Sequence, residues 1–106
     1  MIIATTQDIA GYRVKETKGE VFGLVVRSRG LLWNLVATIR SLFGGEIHEY
    51  TELLESTRRE AVDRMVQNAQ AMSANAILMM RFDSSEISSY MSEVVAYGTA
   101  AVIEPA

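Results

Sequence analysis

Residues 42–65 read LFGGEIHEYTELLESTRREAVDRM, and this stretch decides how the chain folds. It joins two segments of apolar pattern through the pair Gly44-Gly45. Glycine readily adopts the left-handed backbone that ends many helices, so the pair predicts a reversal between two helices. The stretch also carries the only histidine of the chain, His48, and therefore raises the question of a metal or catalytic site.

Apolar residues recur at three- and four-residue steps on both sides of the glycine pair. Residues 31–43 predict a first helix and residues 51–73 a second one. The buried stripe of the first helix is expected to contain Leu32, Leu35, Val36, Ile39, Leu42 and Phe43. That of the second is expected to contain Leu54, Ala61, Met65, Ala69 and Met72, widened by Val62 and Val66.

Two segments before the helices have the composition of strands. YRVKET (12–17) alternates, and EVFGLVVRS (20–28) is rich in β-branched and aromatic residues. The short connection Lys18-Gly19 predicts that they form a β-hairpin. Gly23, inside the second segment, indicates a bulge or a close approach of another backbone.

Two further strands are predicted after the helices. NAILMMRFD (75–83) reads as a strand buried on both faces, and EVVAYGTAAVIEP (93–105) as a last strand. The last strand places small residues on one face and Val95, Tyr97 and Thr99 on the other. SSEISSYMS (84–92) predicts a polar loop. The order ββααββ predicts an α+β domain over residues 1–106, with two helices on one face of an antiparallel sheet.

Composition excludes several classes of protein. Hydrophobic residues make up 49% of the 106 residues and charged residues 22%, which is typical of one globular domain. Lys and Arg number 10 against 13 Asp and Glu, so we expect no nucleic-acid partner. The absence of cysteine excludes disulfides and thiolate metal sites. The longest apolar window, residues 31–43, contains Arg40 and falls short of the roughly 20 residues of a membrane span.

No signal sequence is recognisable in the first residues, MIIATTQDIAGYR, since they lack a basic start and a long apolar core. We therefore expect a soluble cytoplasmic protein without a membrane partner.

His48 lies among the carboxylates Glu46, Glu49 and Glu52. Imidazole and carboxylate groups suit zinc, manganese or nickel, so these four residues form the candidate metal site. The alternative is a solvated helix entry, where acidic side chains complement the helix dipole. The motif favours the solvated helix entry, because no HxxxH or HxxE pair accompanies His48.

Other candidate sites are weaker. Asp83, Glu86 and Tyr90 lie near one strand end and could form an acid–base group. No nucleophile elbow, P-loop or dinucleotide fingerprint is present, so we expect neither an enzyme nor an organic cofactor. Trp33 lies off the main apolar stripe of the first predicted helix and indicates a subunit interface. Thioether ligation of copper(I) or core packing could explain Met65, Met72, Met79, Met80 and Met91, and core packing is the simpler reading.

Several stretches, taken in order, resemble the YbjQ-like proteins, an uncharacterised family described as heavy-metal-binding domains. The resemblance rests on TTQDIAGYRV, GEVFGLVVR, IRSLFGGEIHEYTELLESTRREAVDRM, SANAI, RFDSSEI and EVVAYGTAAV. The chain departs from the family pattern at Trp33-Asn34-Leu35, at Ser73, where family members usually have glycine, and at Leu78-Met79-Met80.

The resemblance implies a dodecin-like, ring-forming α+β subunit and brings no established enzymatic activity. It implies a homopentamer, with a decamer of two stacked rings as a further option. From the residues alone, surplus apolar surface predicts an oligomer without giving its number. The leading hypothesis is therefore a ring-forming binding or scaffold protein of undetermined ligand. The alternative is a protein of metal homeostasis that binds a divalent or heavy metal.

Overall fold

The structure, a computed structural model, describes residues 1–28, 48–88 and 91–106, with only the backbone described at 48–50. The predicted first helix, which includes Trp33, and the Gly44-Gly45 link lie outside the described residues. The elements in chain order are β1 (Ile2–Ile3), β2 (Tyr12–Ser28), α1 (His48–Ala71), β3 (Ala76–Ser88) and β4 (Met91–Pro105). One helix and a four-stranded sheet confirm the α+β class within the described residues.

The strands lie in the order β1-β3-β4-β2. β4 pairs antiparallel with both β2 and β3, whereas β1 pairs parallel with β3, with Ile2 opposite Ala76. The sheet is therefore mixed, and the prediction of a purely antiparallel sheet is wrong at the β1 edge. A parallel pair needs a long crossover, and β2, α1 and the chain between them supply it.

β2 corrects the predicted hairpin, because Tyr12–Ser28 is one continuous strand. Gly19 has a φ of 119° and lies at a register shift against β4 between Thr17 and Gly19. The glycine read as a turn thus forms a bulge, since its positive φ absorbs one extra residue without reversing the chain.

The segment predicted as a polar loop is also corrected. Residues 84–88 complete β3, and Met91 and Ser92 begin β4. Ser84 pairs with Val94 and Glu86 with Ser92, so the ladder continues into the polar segment. Polar side chains are accepted there because residues 84–88 of β3 are exposed.

The core lies between α1 and one face of the sheet. Ala61, Met65 and Ala69 of the predicted stripe are fully buried. They face small or β-branched side chains from the strands, namely Val21, Val25, Ile77, Val94, Ala96 and Ala100. The small-residue face predicted for the last strand is confirmed, since Ala96 and Ala100 are fully buried.

The helical stripe differs from the prediction at its first turns. Leu54 is 50% exposed, whereas Thr57, not predicted, is buried. The Thr57 hydroxyl donates to the carbonyl of Leu53 at 2.7 Å, so its burial leaves the hydroxyl hydrogen-bonded.

Gly23 sets the distance between helix and sheet. A Cβ at this position would lie 2.1 Å from the Ala61 carbonyl oxygen and 2.4 Å from the Met65 nitrogen. The close backbone approach predicted for Gly23 is therefore confirmed, and any side chain there would push α1 away from β2.

A second bulge interrupts β3. Leu78 pairs with Thr99 and Arg81 with Tyr97, so Met79 and Met80 together face the single residue Gly98. Met79 takes a left-handed backbone with a φ of 54°. This bulge changes the direction of β3. The change occurs where β1 and the residues that follow β1 lie beside β3.

Candidate functional site

The predicted metal cluster is only partly within the described chain. Glu46 lies outside it, and His48 and Glu49 are placed as backbone in the first turn of α1. Because α1 begins at His48, positions 48 and 52 are one helical turn apart. Glu52 is exposed. Within the side chains that the structure describes, no group of three His, Cys, Asp or Glu could hold a metal.

The second predicted cluster does not come together. Asp83 and Glu86 are three residues apart on β3, which places their side chains on opposite faces of the sheet. Glu86 pairs in register with Ser92, whereas Asp83 pairs with Val95. Tyr90 lies outside the described residues. An acid–base pair of Asp83 and Glu86 is therefore not formed.

The methionines separate by environment. Met65 is fully buried and Met72 packs at the edge of the same core, so core packing explains both. Met80 is buried in the core under α1, whereas Met79 is 43% exposed, so the two side chains lie in different environments. Met91 is exposed at the start of β4. Their separation gives no shared thioether site among these residues.

On the face of the sheet turned away from α1, β2 and β4 carry an apolar surface, which we call the open face. Val21, Gly23 and Val25 point toward the helix, so the alternate residues of β2 point the other way. Cross-strand pairing then places Phe22 beside Tyr97 and Leu24 beside Val95. The open face consists of Phe22, Leu24, Val26, Val95 and Tyr97.

The open face is exposed to a degree unusual for large apolar side chains. Phe22 is 55% exposed, Val26 49% and Tyr97 43%. Val95 and Tyr97 were predicted for this face, whereas the three residues of β2 were not. The signal was present in EVFGLVVRS, where apolar residues occupy both alternating positions, as expected for a strand covered on both faces.

Side chains of α1 bind the backbone of β2, the outer strand beside β4. The Asn68 amide donates to the Phe22 carbonyl at 2.7 Å, and Arg64 donates to the Leu24 carbonyl at 2.6 Å. Glu60 accepts from Arg64 at 2.9 Å and also pairs with Arg27 of β2. The Glu60–Arg64 pair, one helical turn apart on α1, therefore belongs to a network that holds the helix over the strand.

None of the helices in the described residues is long and apolar enough to cross a bilayer.

Fold and surface together define a small α+β protein in which, among the described residues, a helix covers one face of a mixed four-stranded sheet, and β2 and β4 carry an apolar surface on the opposite face. A family model described as "Putative heavy-metal-binding" matches residues 1–104. The chain belongs to this family, the YbjQ-like proteins, and the resemblance read from the sequence is confirmed.

Relatives of similar length extend across bacteria and archaea. A UPF0145 protein of Bradyrhizobium sp. (strain ORS 278) is 62% identical over 106 residues, covering 100% of this chain and 96% of the relative. A UPF0145 protein of Saccharolobus solfataricus is 51% identical over 104 residues, covering 98% and 91%. These names state no ligand and no reaction.

A solved structure has the same fold. A protein of unknown function from Pediococcus pentosaceus ATCC 25745, of the DUF74 family, superposes with a TM-score of 0.70. The alignment covers 98% of each chain at 16% identity. At this identity the likeness supports the fold and carries no site residue.

Proposed function

We propose that this chain is one subunit of a homo-oligomer that acts as a binding or scaffold protein and assembles through its open face. The observation that carries the proposal is the exposure of Phe22, Val26 and Tyr97 on one side of the sheet. Contiguous apolar surface of this kind is rare on soluble monomers and common in subunit interfaces. A second copy of the chain would remove it from water.

The network on the other side of β2 favours contact through the face over pairing along the strand edge. The carbonyls of Phe22 and Leu24 already accept hydrogen bonds from Asn68 and Arg64. A strand added along β2 would compete with these side chains for the same acceptors. None of the five side chains that make up the open face takes part in this network.

A ring is the assembly that the family resemblance implies, with five subunits and the option of two stacked rings. Closed rings arise when two different patches of each subunit meet in a rotational arrangement. The open face supplies one patch. The number five rests on the resemblance, and the proposal includes no catalytic step.

Light scattering coupled to size exclusion tests the proposal. Wild type at micromolar concentration should elute with a multiple of the subunit mass, five or ten on the ring hypothesis. Phe22→Glu and Leu24→Glu should lower that mass, because each places a carboxylate in the buried interface. Gln67→Glu, which adds the same charge to an exposed position of α1, should leave it unchanged.

The outcomes separate the parts of the proposal. A wild-type mass of one subunit would overturn self-assembly. A stable dimer or trimer would be consistent with assembly through the open face but would contradict the pentamer. Equal masses for wild type and both glutamate variants would remove the open face as the interface.

Metal binding is the second candidate function. The family description supports it, and so does the start of α1 at His48, which sets positions 48 and 52 one turn apart. His48, Glu46, Glu49 and Glu52 remain the residues proposed as ligands.

A further inference from the structure

A cleft opens at one end of the sheet, beside the residues that follow β1. Its volume is about 480 Å³. Three apolar side chains line it, from β2 and β3: Val14, Leu78 and Met79. Four polar side chains complete the lining: Gln7, Asp8, Thr17 and Thr99. An apolar surface with a few convergent polar groups is the usual composition of a small-molecule site.

The wall of this cleft is held in place by hydrogen bonds. Met79 N–H donates to the Thr6 carbonyl at 3.1 Å, and Met80 N–H donates to the Ala4 carbonyl at 3.0 Å. The Arg81 guanidinium donates to the Thr5 carbonyl at 2.8 Å. These bonds tie residues 4–6 to the β3 bulge, so the cleft is formed before any ligand arrives and binding costs little ordering.

Met79 lies where this wall meets the sheet. Its φ of 54° is costly for a residue with a Cβ, and the flanking hydrogen bonds hold it there. The result is a long, adaptable side chain that remains 43% exposed and lines the cleft. Leu78, next to it, is only 6% exposed. Together they give the cleft an apolar surface that can adjust to a ligand.

The charge of the cleft selects the ligand. Among the described residues that line the cleft, Asp8 alone is ionisable, and its carboxylate forms no ion pair with the same part of the chain. Gln7, Thr17 and Thr99 add side-chain oxygens that can accept hydrogen bonds. We infer that the cleft binds a small amphipathic cation, an ammonium group on an alkyl or aryl body, with the ammonium at Asp8 and the body against Leu78 and Met79.

The cation site would give the proposed binding protein its class of ligand. Only the biological role of the site rests on that proposed function. Thr99 of the cleft lies two residues from Tyr97 on the same face of β4, so a second subunit on the open face comes close to the cleft. If residues of a neighbouring subunit filled the cleft, the cation could not bind.

An NMR titration of the assembled, isotope-labelled protein tests the inference with phenethylammonium as the probe. The matched anion is 3-phenylpropionate, which has a similar body and the opposite charge. Amide signals of residues 6–8, Met79 and Thr99 should shift with the cation and respond less to the anion. Asp8→Asn should weaken cation binding about fivefold, the effect of one exposed ion pair. Asp63→Asn, at an exposed position on α1, should leave it unchanged.

Equal binding of cation and anion, or equal affinity in wild type and Asp8→Asn, would overturn the inference. So would the absence of shifts at the cleft, whether the site is unsuited to cations or occupied by a second subunit. Light scattering of the same sample keeps the two proposals apart. An assembled protein with a silent cleft refutes the ligand alone, and a monomer that binds the cation refutes the assembly alone.

Discussion

The side-chain amide of Asn75 forms two hydrogen bonds with the backbone of Ile103, in the pattern that a paired strand residue would form. The Asn75 amide nitrogen donates to the Ile103 carbonyl at 2.9 Å, and the Ile103 N–H donates to the Asn75 amide oxygen at 2.7 Å. Asn75 N–H also donates to the Ala101 carbonyl at 3.0 Å. The asparagine of the SANAI stretch therefore fastens the start of β3 to β4, and its role is structural.

The first prediction concerns this clamp. Asn75→Ala removes both side-chain bonds and leaves two partly buried backbone groups of Ile103 without these partners. We expect the free energy of unfolding to fall by about 1–3 kcal/mol, from two bonds of about 0.5–1.5 kcal/mol each. Urea denaturation at fixed protein concentration measures it. Asn75→Asp keeps the acceptor but sets a carboxylate oxygen against the Ile103 carbonyl oxygen, so it should also be less stable than wild type at neutral pH. Wild-type stability of the alanine variant would contradict the structural role.

The second prediction concerns the end of α1. Ser73 follows the helix with a left-handed φ of 62°, and Ala74 N–H donates to the Ala69 carbonyl at 3.1 Å. This is the position of a helix-ending glycine, and the YbjQ-like resemblance places glycine there. Ser73→Gly should raise the free energy of unfolding by about 0.5–1 kcal/mol, because glycine avoids the steric cost of Cβ.

Thermal unfolding followed by circular dichroism measures the effect at Ser73. Ser73→Ala keeps a Cβ and should give no gain, so it separates backbone strain from loss of the hydroxyl. A melting temperature for the glycine variant at or below that of wild type would show that Ser73 makes a compensating contribution.

The third prediction concerns the contact between β2 and α1. Gly23→Ala would place its Cβ 2.1 Å from the Ala61 carbonyl oxygen, a distance that forces the helix or the strand to move. We expect a loss of about 3 kcal/mol in the free energy of unfolding, at the upper end of overpacking effects. Glu20→Ala is exposed on the same strand and should change stability by less than about 0.5 kcal/mol. Equal stability of the two variants would mean that α1 does not pack where the structure places it.

Local sequence patterns predicted the parts of this fold that depend on side-chain alternation. The small residues Ala96, Gly98 and Ala100 alternate with larger ones, so the face of β4 under the helix followed directly from the sequence. The burial of Ala61, Met65 and Ala69 followed in the same way from helical spacing. These features involve neighbours within one element, and the sequence contains them.

Features that depend on pairing between distant strands were predicted incorrectly. A glycine such as Gly19 is equally compatible with a turn and with a bulge. Pairing of β2 with β4 determines that it forms a bulge. The serines of residues 84–88 favour a loop until the ladder with β4 fixes them in a strand. The parallel pairing of β1 with β3 and the cleft beside it were likewise not visible, because they join residues separated by most of the chain.

The last prediction addresses metal binding, the alternative function. Positions 48 and 52 are one helical turn apart, but two ligands make a weak site for zinc or nickel, which usually has at least three protein ligands. We therefore expect calorimetry of the protein, purified without a histidine tag, to show only weak binding of either ion. His48→Ala should abolish whatever binding is present and leave the mass of the assembly unchanged. Glu104→Gln, which removes a carboxylate far along the chain from the proposed ligands, should change neither the binding nor the mass. Micromolar or tighter binding that disappears in His48→Ala would overturn this expectation. It would mean that further carboxylates, Glu46 and Glu49 or those of neighbouring subunits around a ring axis, complete the site, and it would make metal binding the primary function.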